Sequence, residues 1–338
     1  MKQNTIKDIA KRLGINHSTV SRALHADPQI SRATRELVLR TAMEMDYSPN
    51  TAARSLVGAR SNTIAIVTPA YHSIYSAEVM RGIEPEIIKT TYEMDYYTTR
   101  RFTVVGTAGR DVMIFEKILS EKKADALISI TGNVTGRGDD ILARYKKAGI
   151  HIIFVEGRGS WGHRVHYDNF GAAVMAVNHL VERKRKRIGI MIGDPARAES
   201  YNERLEGFKK AMRSHGRRAD ESNIFIYSED SAELHRTAMN FFVSNKMDAV
   251  YVAAGESYSL RVYQEGLKLG IKFPDDMALV SQDDVRISAA AGFTCVRQPI
   301  IEMGRKAVEI AVRAIEEKNL NTMRDEMFYP ELMVRKSS

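Results

Sequence analysis

From Asn62 onward the chain alternates apolar, strand-like runs with amphipathic helices, the pattern of a parallel sheet covered by helices on both faces. The strand candidates are TIAIVTP from Thr63, DYYTT from Asp95, ADALISIT from Ala124, HIIFVE from His151, RIGIMIG from Arg187, NIFIY from Asn223, DAVYVAA from Asp248 and MALVSQDD from Met277. Between them lie helices such as DVMIFEKILSE, NFGAAVMAVNHLVE, YNERLEGFKKAMRSHG and YSLRVYQEGLKLG. With an irregular stretch from Glu156 to Asp168 in mid-chain, so many strands call for two similar lobes and not one sheet. A cleft between such lobes holds a ligand at the carboxyl ends of the strands.

The first sixty residues have a different texture. Thr5 can cap a helix whose apolar positions are Ile6, Ile9, Ala10 and Leu13, and Gly14 ends it. A second helix starts near His17 with Val20, Ala23 and Leu24 inward, and Ser31 caps a third that runs to about Met45. A helix-turn-helix needs a small residue where two helices cross, a glycine in the turn and a branched apolar anchor in the second helix. Ala10, Gly14 and Val20 meet those needs. His17, Ser18, Ser21 and Arg22 then share the outer face of the second helix, and an arginine there can grip N7 and O6 of a guanine. Up to residue 60 ten Lys and Arg stand against five Asp and Glu, so most of the formal net charge of +8 is concentrated where a polyanion would be met. After this head, YSPN from Tyr47 is a turn, and NTAARSLVG from Asn50 reads as a short helix ended by Gly58.

At these residues the chain resembles the LacI/GalR family of bacterial transcription regulators. The resemblance is carried by TIKDIAKRLGINHSTVSRAL in the head and YSPNTAARSL as a hinge. In the core it is carried by HYDNFGAAVMAVNHL, RIGIMIGD, RLEGF, DDMALVSQDD and RQPIIEMGRKAVE. It implies an α/β protein with an all-α helix-turn-helix head and a two-lobed, periplasmic-binding-protein-like core of parallel sheets. Residues 1–48 form the head, 49–61 the hinge helix and linker, and 62–338 the effector-binding and dimerisation core. It further implies a homodimer that represses from a pseudo-palindromic operator and answers a small polar effector, a sugar being favoured. In this sequence His17, Ser18 and Arg22 would read the major groove. Thr5, Thr19, Ser21, Ser31, Thr34 and Asn50 would hold phosphates or position the head, and Ala53 and Leu56 would enter the minor groove, with Leu56 as the wedge between base steps. Around the effector, Tyr71, Ser73, Thr131, Asn133 and Glu156 would face Tyr167, Arg204, Glu256 and Asp283. Paired acids with an arginine suit a polyhydroxylated ligand, because carboxylates accept from hydroxyls and a guanidinium donates as a fork. AAGES from Ala253 and VSQDD from Val280 depart from the family's usual Asn-Asp pair and VGFDD.

Other motifs carry less. GRGSWG from Gly157 has the glycine spacing of a dinucleotide site, but strand-like HRVHYDN follows where a phosphate-binding helix is required. RKRKR from Arg183 lies between a helix and a strand, where cations suit the helix end. His163 and His166 fall on opposite sides of a strand, which argues against a metal site. No P-loop, zinc or nucleophile-elbow pattern appears, so no enzymatic activity and no cofactor are expected. With one cysteine, no apolar run long enough to span a membrane and no export signal at the first residues, a cytoplasmic location is expected. A periplasmic-type solute-binding protein shares the two-lobed core, but it would need that signal and no head.

Overall fold

The computed structural model describes residues 4–24, 27, 29–45, 47, 61–69, 73–99, 110–130, 137–196, 198–228, 231 and 233–338. The hinge residues Asn50, Ala53 and Leu56, and Tyr71, Thr131 and Asn133, lie outside them. The chain divides into two compact units, Met1–Ser61 and Asn62–Ser338.

In the first unit α1 (Ile6–Leu13), α2 (His17–Leu24) and α3 (Arg32–Glu44) enclose a small core of Ile9, Ala10, Val20, Ala23, Val38 and Ala42. The backbone N–H and hydroxyl of Thr5 both donate to the Asp8 carboxylate, at 2.8 and 2.6 Å, and fix the start of α1. Gly14 ends it at φ 65°, in left-handed backbone that a side chain would strain, although a Cβ there would meet no neighbour. The glycine therefore serves the turn and not the packing. Ser31 caps α3 by accepting the Thr34 N–H at 3.2 Å.

The second unit contains β1 (Thr63–Thr68), α4 (Ile74–Ile88), β2 (Glu93–Thr98), α5 (Arg110–Ser120), β3 (Ala126–Ser129), α6 (Arg137–Ala148), β4 (His151–Val155) and β5 (His163–Tyr167). It continues with α7 (Asn169–Glu182), β6 (Ile188–Gly193), α8 (Glu199–Ser214), β7 (Ile224–Tyr227), α9 (Leu234–Ser244), β8 (Ala249–Val252) and α10 (Glu256–Lys268). The remaining elements are β9 (Ala278–Gln282), α11 (Arg286–Ala291), β10 (Thr294–Arg297), α12 (Ile300–Glu317), β11 (Asp325–Phe328) and β12 (Glu331–Met333). Two six-stranded sheets result, ordered β11-β5-β4-β3-β1-β2 and β12-β10-β9-β8-β6-β7. Pairing is parallel except between β10 and β12. Strands β4, β6, β8 and β9 are buried along their whole length because helices cover both faces, which is why they read as unbroken apolar runs.

The chain passes between the lobes after β5, after β10 and again between β11 and β12. Helix α12 therefore follows a strand of the second lobe yet packs on α4 of the first. The two helices approach so closely that a Cβ on Gly82 would overlap the Ile301 carbonyl oxygen, and one on Gly304 the Val79 carbonyl oxygen. The stretch expected to be irregular, Glu156 to Asp168, contains the paired strand β5, and GRGSWG leads into that strand and not into a helix. The RKRKR cations are partly structural, since Arg185 donates to the carbonyls of Pro274 and Asp275 at 2.7 and 3.2 Å. Among the described residues no helix is long and apolar enough to cross a membrane.

Candidate functional sites

In the head, Val20 and Ala23 anchor α2 from below, so its opposite face is turned outward. His17, Ser18 and Arg22 are exposed, while Thr19 and Ser21 are half-buried. The backbone N–H and hydroxyl of Ser18 both donate to Oδ1 of Asn16 at 3.0 Å, which sets the first turn of α2. Arg22 is held from the side: Nε donates to Asp27 Oδ2 at 2.9 Å and Nη2 to Gln29 Oε1. The hydroxyls of Thr5 and Ser31 are engaged in the caps of α1 and α3.

In the second unit the polar groups converge at the carboxyl ends of the strands. Glu156 directly follows β4 at φ 60° and Asp283 directly follows β9 at φ 71°, both in left-handed backbone, which Asp adopts more readily than Glu. Asn169, the first residue of α7 after the crossing from β5, joins the lobes. Its Nδ2 donates to Glu156 Oε2 at 3.0 Å, and its Oδ1 accepts from Arg204 Nε at 2.8 Å. Arg204, buried on α8, also donates from Nη1 to the Ala253 carbonyl at 2.8 Å. Tyr251 donates to Gln282 Oε1 at 2.6 Å, and Gln282 Nε2 donates to Asp283 Oδ1 at 3.0 Å. Tyr167 donates to the Arg297 carbonyl at 3.2 Å.

Three buried atoms of this cluster make no hydrogen bond of good geometry: Glu156 Oε1, Gln298 Oε1 and the Tyr75 hydroxyl, which faces the Gln298 side chain. An unmet buried polar group costs free energy, so their convergence marks a place built for a polar ligand. Tyr75 on α4 lies close enough to Glu156, Asp283 and Arg204 for their charges to act on its hydroxyl, and burial with the two carboxylates pushes its pKa well up. Burial likewise pushes Glu156 up to about 7, against the opposing pull of the Asn169 hydrogen bond and the Arg204 charge. Asp283 is raised by burial for the same reason. Burial works against the Arg204 charge, but Tyr251, Asp283 and Glu156 outweigh it and raise its pKa.

Of the residues expected in the cleft, Glu156, Tyr167, Arg204 and Asp283 belong to this cluster. Ser73 caps α4, accepting the Ser76 N–H at 3.4 Å, and Glu256 is the first residue of α10, its side chain outside the described ones. Sequence reasoning missed Tyr75, Asn169, Gln282 and Gln298. Asn169 was within reach, as a polar residue at the first position of a helix directly after a lobe-crossing strand.

Glu156 gives a pH signature. Its folded pKa of about 7 lies above the ordinary 4.5, so the folded state prefers the proton; the resulting stability is complete below about pH 4.5 and is lost as pH rises towards 7. Replacing Glu156 with Gln should therefore raise the melting temperature of the ligand-free protein at pH 8, with the gain shrinking as pH falls through 7 towards 5. A pH-independent difference between the two proteins would remove Glu156 ionisation as the cause.

An exposed reading face on a helix-turn-helix and a polar cluster at the strand ends of a two-lobed core define a ligand-responsive, DNA-binding regulator. Residues 5–50 match the family described as bacterial regulatory proteins, lacI family, and residues 177–338 match a periplasmic binding protein-like domain. The chain thus joins a lacI-family head domain to a periplasmic binding protein-like domain. It is 24% identical over 342 residues to the HTH-type transcriptional repressor PurR of Haemophilus influenzae (strain ATCC 51907 / DSM 11121 / KW20 / Rd), covering 98% of each chain. Two solved structures share its fold. One is a lac repressor dimer bound to operator and the anti-inducer ONPF, at TM-score 0.80, 18% identity and 99% of each chain. The other is a complex of the transcriptional regulator CelR with cellobiose, at TM-score 0.69 and 23% identity, covering 99% of this chain and 100% of that one.

Proposed function

We propose that this protein is a cytoplasmic repressor that binds a pseudo-palindromic operator as a homodimer, is modulated by a small polyhydroxylated effector between its lobes, and turns over no substrate. Residues 1–48 serve as the head, 49–61 as the hinge and 62–338 as the effector-binding and dimerisation core. His17, Ser18 and Arg22 meet base edges. Thr19, Ser21, Thr34 and Asn50 meet phosphates, with Thr5 and Ser31 positioning the head, and Leu56 beside Ala53 wedges the minor groove. Glu156, Tyr167, Arg204 and Asp283, with Tyr75, Asn169 and Gln298, meet the effector. The observation that carries the effector half is the set of unmet acceptors, Glu156 Oε1 and Gln298 Oε1, beside a buried arginine. Hydroxyl groups donate to such acceptors, and the sugar complex of a structural neighbour supports the same class of ligand.

Selection of bound duplexes from a random pool tests the DNA half and should return a two-fold-symmetric site. A thermal-shift screen of sugars and sugar phosphates tests the other half, because a ligand bound only by the folded state raises its stability. A pool that yields no consensus would defeat the regulator reading.

A further inference from the structure

We propose that Asp27 and Gln29 form a bracket that presents the Arg22 guanidinium end-on to a base, and that Asp27 thereby sets base preference without touching DNA. This rests on the reading of α2 as the DNA-reading helix. An arginine can meet a guanine through its side edge, Nε with one Nη, or through its end, the two outward Nη hydrogens. Here Asp27 Oδ2 occupies Nε at 2.9 Å and Gln29 Oε1 occupies Nη2, so the side edge is taken. What remains is Nη1 and the outward hydrogen of Nη2, a parallel pair of donors with the spacing of N7 and O6.

The bracket is itself anchored. The Asp27 backbone N–H donates to the Arg22 carbonyl at 3.0 Å, and Oδ1 accepts the Gln29 N–H at 2.8 Å. Its carbonyl accepts from Arg35 Nη2 of α3 at 3.0 Å. The same carbonyl accepts the Ile30 N–H at 3.0 Å, so Asp27 is tied to both α2 and α3 before the Arg22 pair is added. As a stability device it would be worth little, since the Arg22 side chain is 45% exposed. As a positioning device it removes rotamer freedom that a long side chain would otherwise lose on binding. A carboxylate beside a phosphate backbone adds repulsion, so general electrostatics and the bracket make opposite predictions for its removal.

The test compares wild type, Asp27→Asn, Arg22→Ala and the double variant on the selected operator, on operators changed at one base pair at a time, and on a scrambled duplex, all at fixed salt. Asparagine keeps the acceptor for the Gln29 N–H, so the turn and the head fold survive, as circular dichroism would verify. The bracket predicts that Asp27→Asn weakens operator binding by roughly 5- to 20-fold and flattens preference at a single base position. Binding to the scrambled duplex should stay equal or tighten. In the Arg22→Ala background the same substitution should leave base preference unchanged. An Asp27→Asn protein that binds operator as well as wild type, or better, with its base preference intact, overturns the bracket. A wild type that does not distinguish operator from scrambled duplex defeats the DNA-reading role itself, which is a separate failure.

Discussion

Arg22→Ala should weaken operator binding by about 1 to 3 kcal/mol per half-site, hence about 2 to 6 kcal/mol for a dimer on two half-sites, and leave binding to a scrambled duplex nearly unchanged. The expectation follows from where the residue sits. Its neighbours Val20 and Ala23 are buried in the head core, so α2 keeps its position when Arg22 is shortened, and the lost contacts are those of the guanidinium alone. Phosphate contacts made elsewhere on the head keep the non-specific affinity. Titration of both duplexes at one salt concentration is the measurement. Equal weakening of the two would make Arg22 a phosphate contact and remove its base-reading role.

Asp283→Asn and Arg204→Gln should each abolish the effector's influence on operator affinity while the ligand-free protein still binds DNA. Coupling of this kind is typically about 1 to 3 kcal/mol, a shift of roughly 5- to 150-fold. Asparagine tolerates the left-handed backbone that Asp283 adopts at φ 71°, so the substitution removes a charge without moving the chain. Glutamine at Arg204 keeps a donor near Asn169 but cannot also reach the Ala253 carbonyl, so this variant should be the less stable of the two. Because coupling is reciprocal, calorimetry of the effector with and without operator must give the same factor, and in the variants that factor should fall to one. Variants that respond like wild type would displace the effector from this cluster.

The head could be read from the sequence because its determinants are local: Ala10, Gly14 and Val20 lie within a dozen residues and act on one another directly. The central strands were equally plain, since burial on both faces writes an unbroken apolar run. Strands β11 and β12 were not, because they are short, lie at sheet edges and carry exposed residues such as Asp325, Glu326 and Glu331, so no apolar pattern announces them. In the polar cluster, Glu156 and Asp283 are legible because each directly follows an apolar strand. Tyr75 and Gln298 were hidden, one looking like a core residue of an amphipathic helix and the other like a loop amide. Their meaning depends on a convergence of distant segments that no local spacing encodes.

The passage of the chain between lobes also dictates an order of assembly. Strand β5 pairs with β11 in parallel, Arg164 beside Asp325 with the Arg164 N–H donating to the Arg324 carbonyl at 2.8 Å, and the glycine face of α4 is covered by α12. During synthesis the first lobe therefore emerges with one sheet edge open and one helix face bare, and it stays so while five of the second lobe's six strands are being made. Closing so long a loop is slow, and an unpaired parallel edge meanwhile invites pairing with other chains. A fragment that stops before α12 should be retained by chaperones or aggregate, however sound its own strands are, because the last tenth of the chain completes the first lobe.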